Sequence, residues 1–504
     1  MTGSQAEEPR QTPRQRKEAW RQRLGESLGK KGFIESACSE FKELSDTERL
    51  WRSEILAIAA VERGMRDGLA LALEECSPNT AGPYGQSLLH KAAAGGWAEL
   101  VEALVAAGAS IDGREVFGET PMCRAAEAGH LETVEVLARL GASANLGARS
   151  KRALRGREAC HGPLHIAAAS GQVELARLLV AAGADVKAPN SGGLAPMELA
   201  LAHPEMVEAL SAMNPRWHAL AAVKSGLFHK ACALGQVESA EILLRIQGAA
   251  ADVNGMWFSK SALHAASANG HARCVEMLMW RGVPPNKRDG WGNTPLMEAC
   301  RGIGAKGALA TIEALLSAGA DRAMANKHGE TALRILAGQK KEDRAMDACQ
   351  WTQREAAILA AVPLVAAEVD LEMADHSGKT PALAAAIAGQ WAVVKALHGL
   401  GADVGRELVL TGGAALGFPM EDLFRGCSPA LICAARGDLA GMLTLHELGV
   451  DVFAANKLGV DARALARRYG REETLAAVAA VQEKKELGLA AERASKVRAR
   501  GARL

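Results

Sequence analysis

Two short segments match nucleotide-binding motifs by their letters. Gly302–Gly307 spells G-x-G-x-x-G, and Gly378–Thr380 matches the end of a phosphate-binding loop. A dinucleotide site needs a strand directly before its glycines and an acidic residue after the next strand. Leu296–Cys300 instead has a helical pattern, and the first glycine of a phosphate loop would fall at Met373. We therefore expect Gly302–Gly307 to be a lengthened turn between helices, and neither segment to bind a nucleotide.

Histidine and cysteine, the usual metal ligands, are spread along the chain. The ten cysteines include no C-x-x-C pair, and no H-E-x-x-H occurs. His90, His165, His229 and His264 stand in one recurring context, which favours four equivalent buried imidazoles bonded to turn backbone over a metal site. Cys123, Cys232, Cys300 and Cys433 occupy small core positions of the same repeated element. We expect no catalytic residue, no metal, no cofactor and no enzymatic activity.

Length and composition set the class of protein. The chain has 504 residues, and its 59 basic and 58 acidic side chains leave a net charge of +1, so global charge does not attract nucleic acid or membrane. Hydrophobic residues make up 49% but aromatic residues only 4%, which favours closely packed helices rich in alanine and leucine. No apolar stretch is long enough to span a bilayer. We expect a reduced intracellular protein that is cytoplasmic, with the nucleus as a second location.

One block of sequence recurs with a period near 33 residues. It runs Glu119–Ala126 in one copy, Gly162–Ala168 in the next and Asn293–Ala299 further on. Each block is followed by a glycine, an aliphatic stripe and a Gly-Ala or similar stop. Equivalent positions are Leu88, Pro121, Pro163, Pro196, Leu227, Ala262, Pro295, Ala332, Pro381, Pro429 and Ala462. A fixed unit with loop insertions explains this spacing.

These units resemble ankyrin repeats, whose pattern contains G-x-T-P-L-H-x-A-A, an amphipathic stripe and a closing Gly-Ala. Together with a weaker copy at Ile55–Glu75, the array has about twelve degenerate units. The resemblance implies an all-α solenoid of stacked helix-turn-helix units with inter-repeat finger turns. Local chemistry agrees, because Thr120 before Pro121 is an N-cap followed by proline at the first helical position. Gly183 stands where a left-handed residue ends the second helix.

We expect a basic segment before the array, a basic segment after it and three insertions within it. We assign residues 1–53 to a basic, partly helical and partly disordered N-terminal segment, 54–481 to the array and 482–504 to a basic tail. Pro9–Lys31 contains eight basic and two acidic side chains, and 482–504 contains seven and three. Insertions fall near 146–160, 339–371 and 405–426. The second is expected to add a helix and the third a small hairpin at Leu408–Gly413.

One position of each finger turn, three residues before the capping residue, is enriched in aromatic side chains. Exposed aromatic residues are usual anchors of protein interfaces, although rings that pack on the adjacent finger would give the same pattern. The first insertion adds a cluster of basic residues. The candidate partner-binding residues are Tyr84, Phe117, Trp257, Phe258, Trp291, His328, Arg149, Lys151, Arg152, Arg155 and Arg157.

The resemblance implies a non-catalytic protein-protein interaction module, acting as a scaffold, adaptor or regulator through the finger and inner-helix face. Two alternatives stay open. One is a substrate-recognition subunit of a ubiquitin ligase or another enzyme complex. The other is a nuclear regulator whose basic segments serve import or contact nucleic acid. We expect a monomer that binds another protein, and nucleic acid is not the expected partner.

Overall fold

The computed structural model describes residues 13–27, 45–146, 162–213, 221–247, 253–339, 348–407, 426, 428–456, 459–476, 479–480 and 483. It divides into two compact units. The first contains residues 1–220 and 241–247, and the second contains residues 221–240 and 248–504. Within its described part, the chain forms twelve successive helix pairs, which confirms the predicted all-α array of about twelve units.

The first helix of each pair packs against the first helices of neighbouring pairs in its own unit, and most of these helices have four to eight residues. These helices are α2 Asp46–Glu62, α4 Leu88–Ala94, α6 Pro121–Ala128, α8 Pro163–Ser170, α10 Pro196–Leu199, α12 Ala221–Ala233, α14 Ala262–Ala268, α16 Pro295–Arg301, α18 Ala332–Ala337, α20 Pro381–Ala388, α22 Pro429–Arg436 and α24 Ala462–Arg468. A short 3-10 turn over Ala200–Ala202 extends α10.

The second helices form the other layer of each unit. They are α3 Arg66–Leu73, α5 Ala98–Ala106, α7 Leu131–Arg139, α9 Val173–Ala181, α11 Pro204–Met213, α13 Val237–Gln247, α15 Ala272–Trp280, α17 Ala308–Ser317, α19 Ala348–Ala366, α21 Trp391–Gly399 and α23 Leu439–Glu447. A helical stretch over 472–476 completes the last pair. One further helix, α1 Pro13–Ser27, precedes the pairs.

The first helices begin where the sequence predicts. Thr120 has extended backbone and its hydroxyl accepts a hydrogen bond from the Cys123 N–H at 3.4 Å, with Pro121 at the first helical position. Ser, Thr or Asp caps most of the other first helices in the same way. Alanine or cysteine then fills the close-packed positions, and Cys232 and Cys300 are fully buried. The predicted core role of these cysteines is confirmed, because small side chains let adjacent helices approach closely.

Most of the second helices end at glycines with left-handed backbone. Gly183 has φ of 90°, and its N–H donates to the Val180 carbonyl at 3.0 Å. A side chain at this φ would be strained, so glycine releases the chain toward the next finger turn without cost from a Cβ atom. The predicted helix stop is therefore confirmed.

The N-terminal helix α1 packs on α2 within the first unit. Trp20 and Leu24 are buried, and the Arg52 guanidinium lies 4.9 Å from the centroid of the Trp20 ring. Arg16 forms an ion pair with Glu48 at 2.7 Å. The basic N-terminal segment thus includes an amphipathic helix that covers the end of the first repeat. Because α2 begins at Asp46, the proposed boundary between residues 53 and 54 lies inside this helix.

The predicted insertions differ in what the structure describes. The 339–371 insertion includes α19, a helix of 19 residues that continues through Pro363. Because α19 is the second helix of its pair, the insertion lengthens that helix among the described residues and does not add the extra helix expected from the sequence. Most of the 146–160 insertion and nearly all of the 405–426 insertion, including Leu408–Gly413, lie outside the described residues. So does the tail from residue 484 onward.

Candidate functional site

The finger turns are built around a buried acidic or amide side chain. In the finger that leads into α16, Asp289 Oδ1 accepts hydrogen bonds from the backbone N–H groups of Trp291 and Asn293, both at 2.8 Å. Asn326 and Asp375 make the same pattern in the next two fingers. Because the side-chain oxygen accepts hydrogen bonds from the N–H groups two and four residues later, it holds the turn closed. The residue two positions after it then lies at the tip of the turn.

The Asp375 carboxylate shows why these turns are stable. Burial alone would raise its pKa, but hydrogen bonds from the Ser377 hydroxyl and the Lys379 N–H, together with the Arg334 charge, lower the pKa below its ordinary value. The Arg334 guanidinium reaches Asp375 Oδ2 from Nη2 at 2.9 Å and from Nε at 3.0 Å. A contact from two guanidinium nitrogens of this kind holds the turn on α18, the first helix of the preceding pair.

Neighbouring fingers are joined by single backbone hydrogen bonds. In the second unit the Gly290 N–H donates to the Ser259 carbonyl at 3.0 Å, and the Lys327 N–H donates to the Trp291 carbonyl at 3.1 Å. The His376 N–H continues the row to the His328 carbonyl at 2.9 Å. Successive tips are therefore held side by side, and their side chains form one row.

The structure places four predicted site residues in this row. Trp257, Phe258 and Trp291 are 41%, 81% and 51% exposed, and His328 is also exposed. The Trp257 and Phe258 rings meet edge to face with centroids 4.6 Å apart. Within the second unit, aromatic side chains thus stand at the tips of three adjacent fingers. Whether it binds a partner stays a prediction.

The Phe258 finger is a strained β-hairpin. Strands β1 Met256–Trp257 and β2 Lys260–Ser261 pair antiparallel, and the two loop residues, Phe258 and Ser259, have φ of 46° and 67°. Positive φ at both loop positions defines a type I′ turn, which strongly prefers Asn-Gly. A bulky aromatic residue there is a genuine backbone outlier. The hairpin therefore carries backbone strain at the position that exposes the Phe258 ring.

A separate aromatic pair lies in the first unit. Tyr84 is 67% exposed and also has positive φ, at 65°, while Phe117 is half-buried. Their ring centroids lie 6.3 Å apart, and the Val116 N–H donates to the Tyr84 carbonyl at 3.0 Å. The remaining candidates, Arg149, Lys151, Arg152, Arg155 and Arg157, lie outside the described residues.

A buried polar network supports the aromatic row from below. Glu298 is 1% exposed and is held at 2.5 Å both by the Lys260 ammonium and by the Arg301 guanidinium. Asn293 donates to Glu298 at 3.2 Å, and the Lys260 ammonium lies 6.0 Å from the centroid of the Trp291 ring. A buried carboxylate compensated by these two cations fixes the finger base beneath the ring.

Sequence reasoning missed three cations that flank the aromatic tips. Lys287 donates to the Asn254 carbonyl of the preceding finger, Arg288 to the Ala325 carbonyl of the following finger at 3.0 Å, and Lys327 to the Gly290 carbonyl at 2.8 Å. A signal was available, since these residues stand one or two positions from the finger aspartate or asparagine. The aromatic position three residues before the capping residue does not reveal these cations, because they stand at other positions of the finger.

The recurring histidines tie each first helix to the next finger. His264 Nε2 lies 3.0 Å from the Asn293 carbonyl, and its Nδ1 lies 2.7 Å from the Ser261 hydroxyl. A carbonyl can only accept, so Nε2 carries the proton, and burial lowers the pKa of His264 and keeps it neutral. His90, His165 and His229 reach finger carbonyls at 3.0, 3.2 and 2.9 Å. The structural role predicted for these histidines is confirmed.

Comparison with family models decides the family. A model of three ankyrin repeats matches residues 56–148, 227–323 and 263–351, and an ankyrin repeat model matches 161–191. The chain is an ankyrin repeat protein. No curated protein matches it. Beyond residue 351, the pairs α20 with α21 and α22 with α23 continue the same geometry, with Thr380 and Ser428 as caps.

The motif matches fall within the ankyrin architecture. Gly302–Gly307 joins α16 to α17 as a lengthened turn, as predicted, and the Thr380 hydroxyl caps α20 by accepting from the Leu383 N–H at 3.3 Å. Across the described ranges, no group of three or more histidine, cysteine or acidic residues is placed to hold a metal ion. No helix in those ranges combines the length and apolar character needed to cross a membrane.

The ankyrin array also has a groove in its first unit, with a volume of about 710 Å³ between the starts of α7, α9 and α11. Two of the charged residues that line it, Glu174 and Arg177, lie 3.6 Å apart and offset each other. Ankyrin repeats are generally protein-protein interaction modules and are typically non-catalytic. Of the surfaces seen within single units, the aromatic row is the best candidate for such an interaction.

Proposed function

We propose that this ankyrin protein is a non-catalytic scaffold, adaptor or regulator that binds another protein through the aromatic tips Trp257, Phe258 and Trp291. The observation that carries the proposal is the Phe258 hairpin. Its ring is 81% exposed and stands on a backbone that disfavours it. A residue that costs stability and buries almost nothing is best explained by contact with a partner.

The remaining structure of this finger row supports the proposal. A rigid aromatic anchor binds with little loss of conformational entropy, and the backbone bonds at Ser259 and Trp291 already fix the finger spacing. Trp291 is half exposed, so it offers a large apolar area that a partner can cover. The proposal carries no catalytic role, and it places the protein in the cytoplasm or the nucleus.

Affinity capture with matched variants tests the proposal. Full-length protein, Phe258→Asn, Trp291→Ala and Trp280→Ala would each be used to capture proteins from a lysate of the source organism, followed by mass spectrometry. Trp280 is the control because it is 85% exposed in the same unit but lies at the end of α15, away from the tips. We expect partners that bind wild type and Trp280→Ala but are lost from both finger variants.

Circular dichroism of each variant would confirm that the fold is retained. The proposal fails if the captured proteins are the same for wild type and the finger variants. Selective loss with Trp280→Ala alone would move the binding surface to the second-helix layer.

A further inference from the structure

The aromatic tips and the cations beside them form one surface, which we name the finger ridge. It consists of Trp257, Phe258, Lys287, Arg288, Trp291 and Lys327, from three adjacent fingers of the second unit. Arg288 and Lys327 are exposed and Lys287 is half-buried.

The three cations of the ridge contact neutral groups. Their hydrogen-bond partners are the backbone carbonyls of Asn254, Ala325 and Gly290. Within the described ranges, the salt bridges of the second unit do not include any of the three. Each carbonyl fixes a cation across a finger boundary and leaves its other N–H donors free for a ligand.

The acidic residues of these fingers are engaged within the turns and their bases. Glu330, in the third finger, is half-buried and accepts a hydrogen bond from Asn326 Nδ2 at 3.0 Å. Asp289 is 6% exposed and its Oδ1 is taken by two backbone N–H groups. Glu298 is buried and already paired with Lys260 and Arg301. Positive charge and apolar rings are therefore what the ridge presents to solvent.

We propose that the finger ridge binds an acidic segment of a partner protein that also carries an aromatic or aliphatic anchor. This inference rests on the function proposed above and adds the chemistry of the partner. Carboxylates would pair with Lys287, Arg288 and Lys327, and the apolar anchor would pack on Phe258 and Trp291. Complementary charge of this kind steers association and fixes the register of the bound segment.

The ring geometry favours a peptide over single-stranded nucleic acid. Base stacking needs accessible ring faces. The Trp257 and Phe258 rings instead meet edge to face with centroids 4.6 Å apart, Trp257 lies 6.4 Å from the His229 ring, and the Lys260 ammonium lies 6.0 Å from the Trp291 centroid. Three cations on a protein of net charge +1 also make a short basic patch, not a track for a long phosphate backbone.

Peptide selection followed by direct binding tests the inference. A random peptide library would be selected on the full chain, and enriched peptides labelled for fluorescence anisotropy at low and high salt. Arg288→Glu/Lys327→Glu is the ridge variant. Arg281→Glu/Lys306→Glu makes the same charge change in the same unit away from the fingers. Phe258→Asn reports the aromatic contact, and an oligothymidine strand is the nucleic-acid probe.

We expect enrichment of acidic peptides with an apolar residue, and binding that weakens with salt. The ridge variant should lower affinity at least about tenfold, and the Arg281/Lys306 control less than about twofold. Neutral or basic peptides that lose binding with Phe258→Asn would overturn the acidic chemistry while leaving the proposed function standing. Peptides whose affinity changes with neither the ridge variant nor Phe258→Asn would contradict the proposed function as well. A library without ridge-dependent binders, or oligothymidine binding that the ridge variant abolishes, would overturn the inference.

Discussion

Replacing Phe258 with asparagine should separate stability from binding. The ring is 81% exposed, so of the roughly 200 Å² that a phenylalanine buries when enclosed, only about 40 Å² is lost on mutation. At about 25 cal/mol per Å², that loss costs roughly 1 kcal/mol. The left-handed backbone at φ of 46° costs a non-glycine residue about 1–2 kcal/mol, and asparagine tolerates it better. The two effects nearly cancel, so the free energy of unfolding should change by less than about 1 kcal/mol.

Binding should respond differently. If Phe258 is an interface anchor, its loss removes about 2 kcal/mol or more of binding free energy, which is about 30-fold in affinity. Urea unfolding followed by circular dichroism would measure stability, and hydrogen exchange over residues 253–283 would report the local repeat. Anisotropy or calorimetry with the captured partner would measure affinity.

Ser259→Gly is the matched control for this prediction. It relaxes the second strained position, at φ of 67°, and leaves the Phe258 ring in place. We expect unchanged or slightly higher stability and unchanged affinity. A fall in unfolding free energy of more than about 2 kcal/mol for Phe258→Asn would show that the ring stabilises the repeat. Unchanged affinity would show that this tip makes no contact.

Three further predictions concern the scaffold and the motif matches. Thr294→Val removes the cap of α16 and should cost about 1 kcal/mol, with hydrogen exchange rising in adjoining repeats and not across the array. Because the pKa of Asp375 is lowered in the folded protein, its carboxylate contributes fully to the free energy of unfolding above the ordinary aspartate pKa, and this contribution is lost as pH falls through the folded-state pKa. Asp375→Asn should therefore be less stable than wild type at neutral pH. Its free energy of unfolding, measured by urea titration, should also fall less steeply as the pH is lowered. Gly304→Val changes an exposed turn position and should leave partner affinity unaltered; a stoichiometric nucleotide-binding signal in wild type that this variant abolishes would reverse our interpretation of the motif.

Much of the array could be predicted because its signals are local. The Thr120-Pro121 start, the Gly183 stop and the alanine-rich first helices each depend on residues within one repeat. The sequence identified Trp291 as a finger-tip residue but left open whether its ring is exposed or packs on the adjacent finger, and in the structure the ring is half exposed. The turn that places Trp291 at the tip is also local, because both of its hydrogen bonds to Asp289 lie within five residues.

The rest depended on which residues meet across repeats. Lys260 and Glu298 are 38 positions apart, and Arg288 and Ala325 are 37 apart, so no short pattern pairs them. The strain at Phe258 was equally hidden, because the hairpin has two loop residues without the usual Asn-Gly signal. Contacts of this kind follow from the stacking distance between fingers, which a single repeat does not contain.

The pairing of charges in the second unit separates residues that hold the fingers from residues that can act on a partner. Lys260 and Arg301 both contact buried Glu298, so replacing either one removes a contact that holds the finger base, and replacing both would leave the buried carboxylate uncompensated. Arg288 and Lys327 rest on neutral carbonyls at the surface, so replacing them removes charge without exposing a buried carboxylate. Stability and recognition are thus assigned to different cations of the same unit. Variants of the second pair can therefore test binding without first disturbing the fold that presents it.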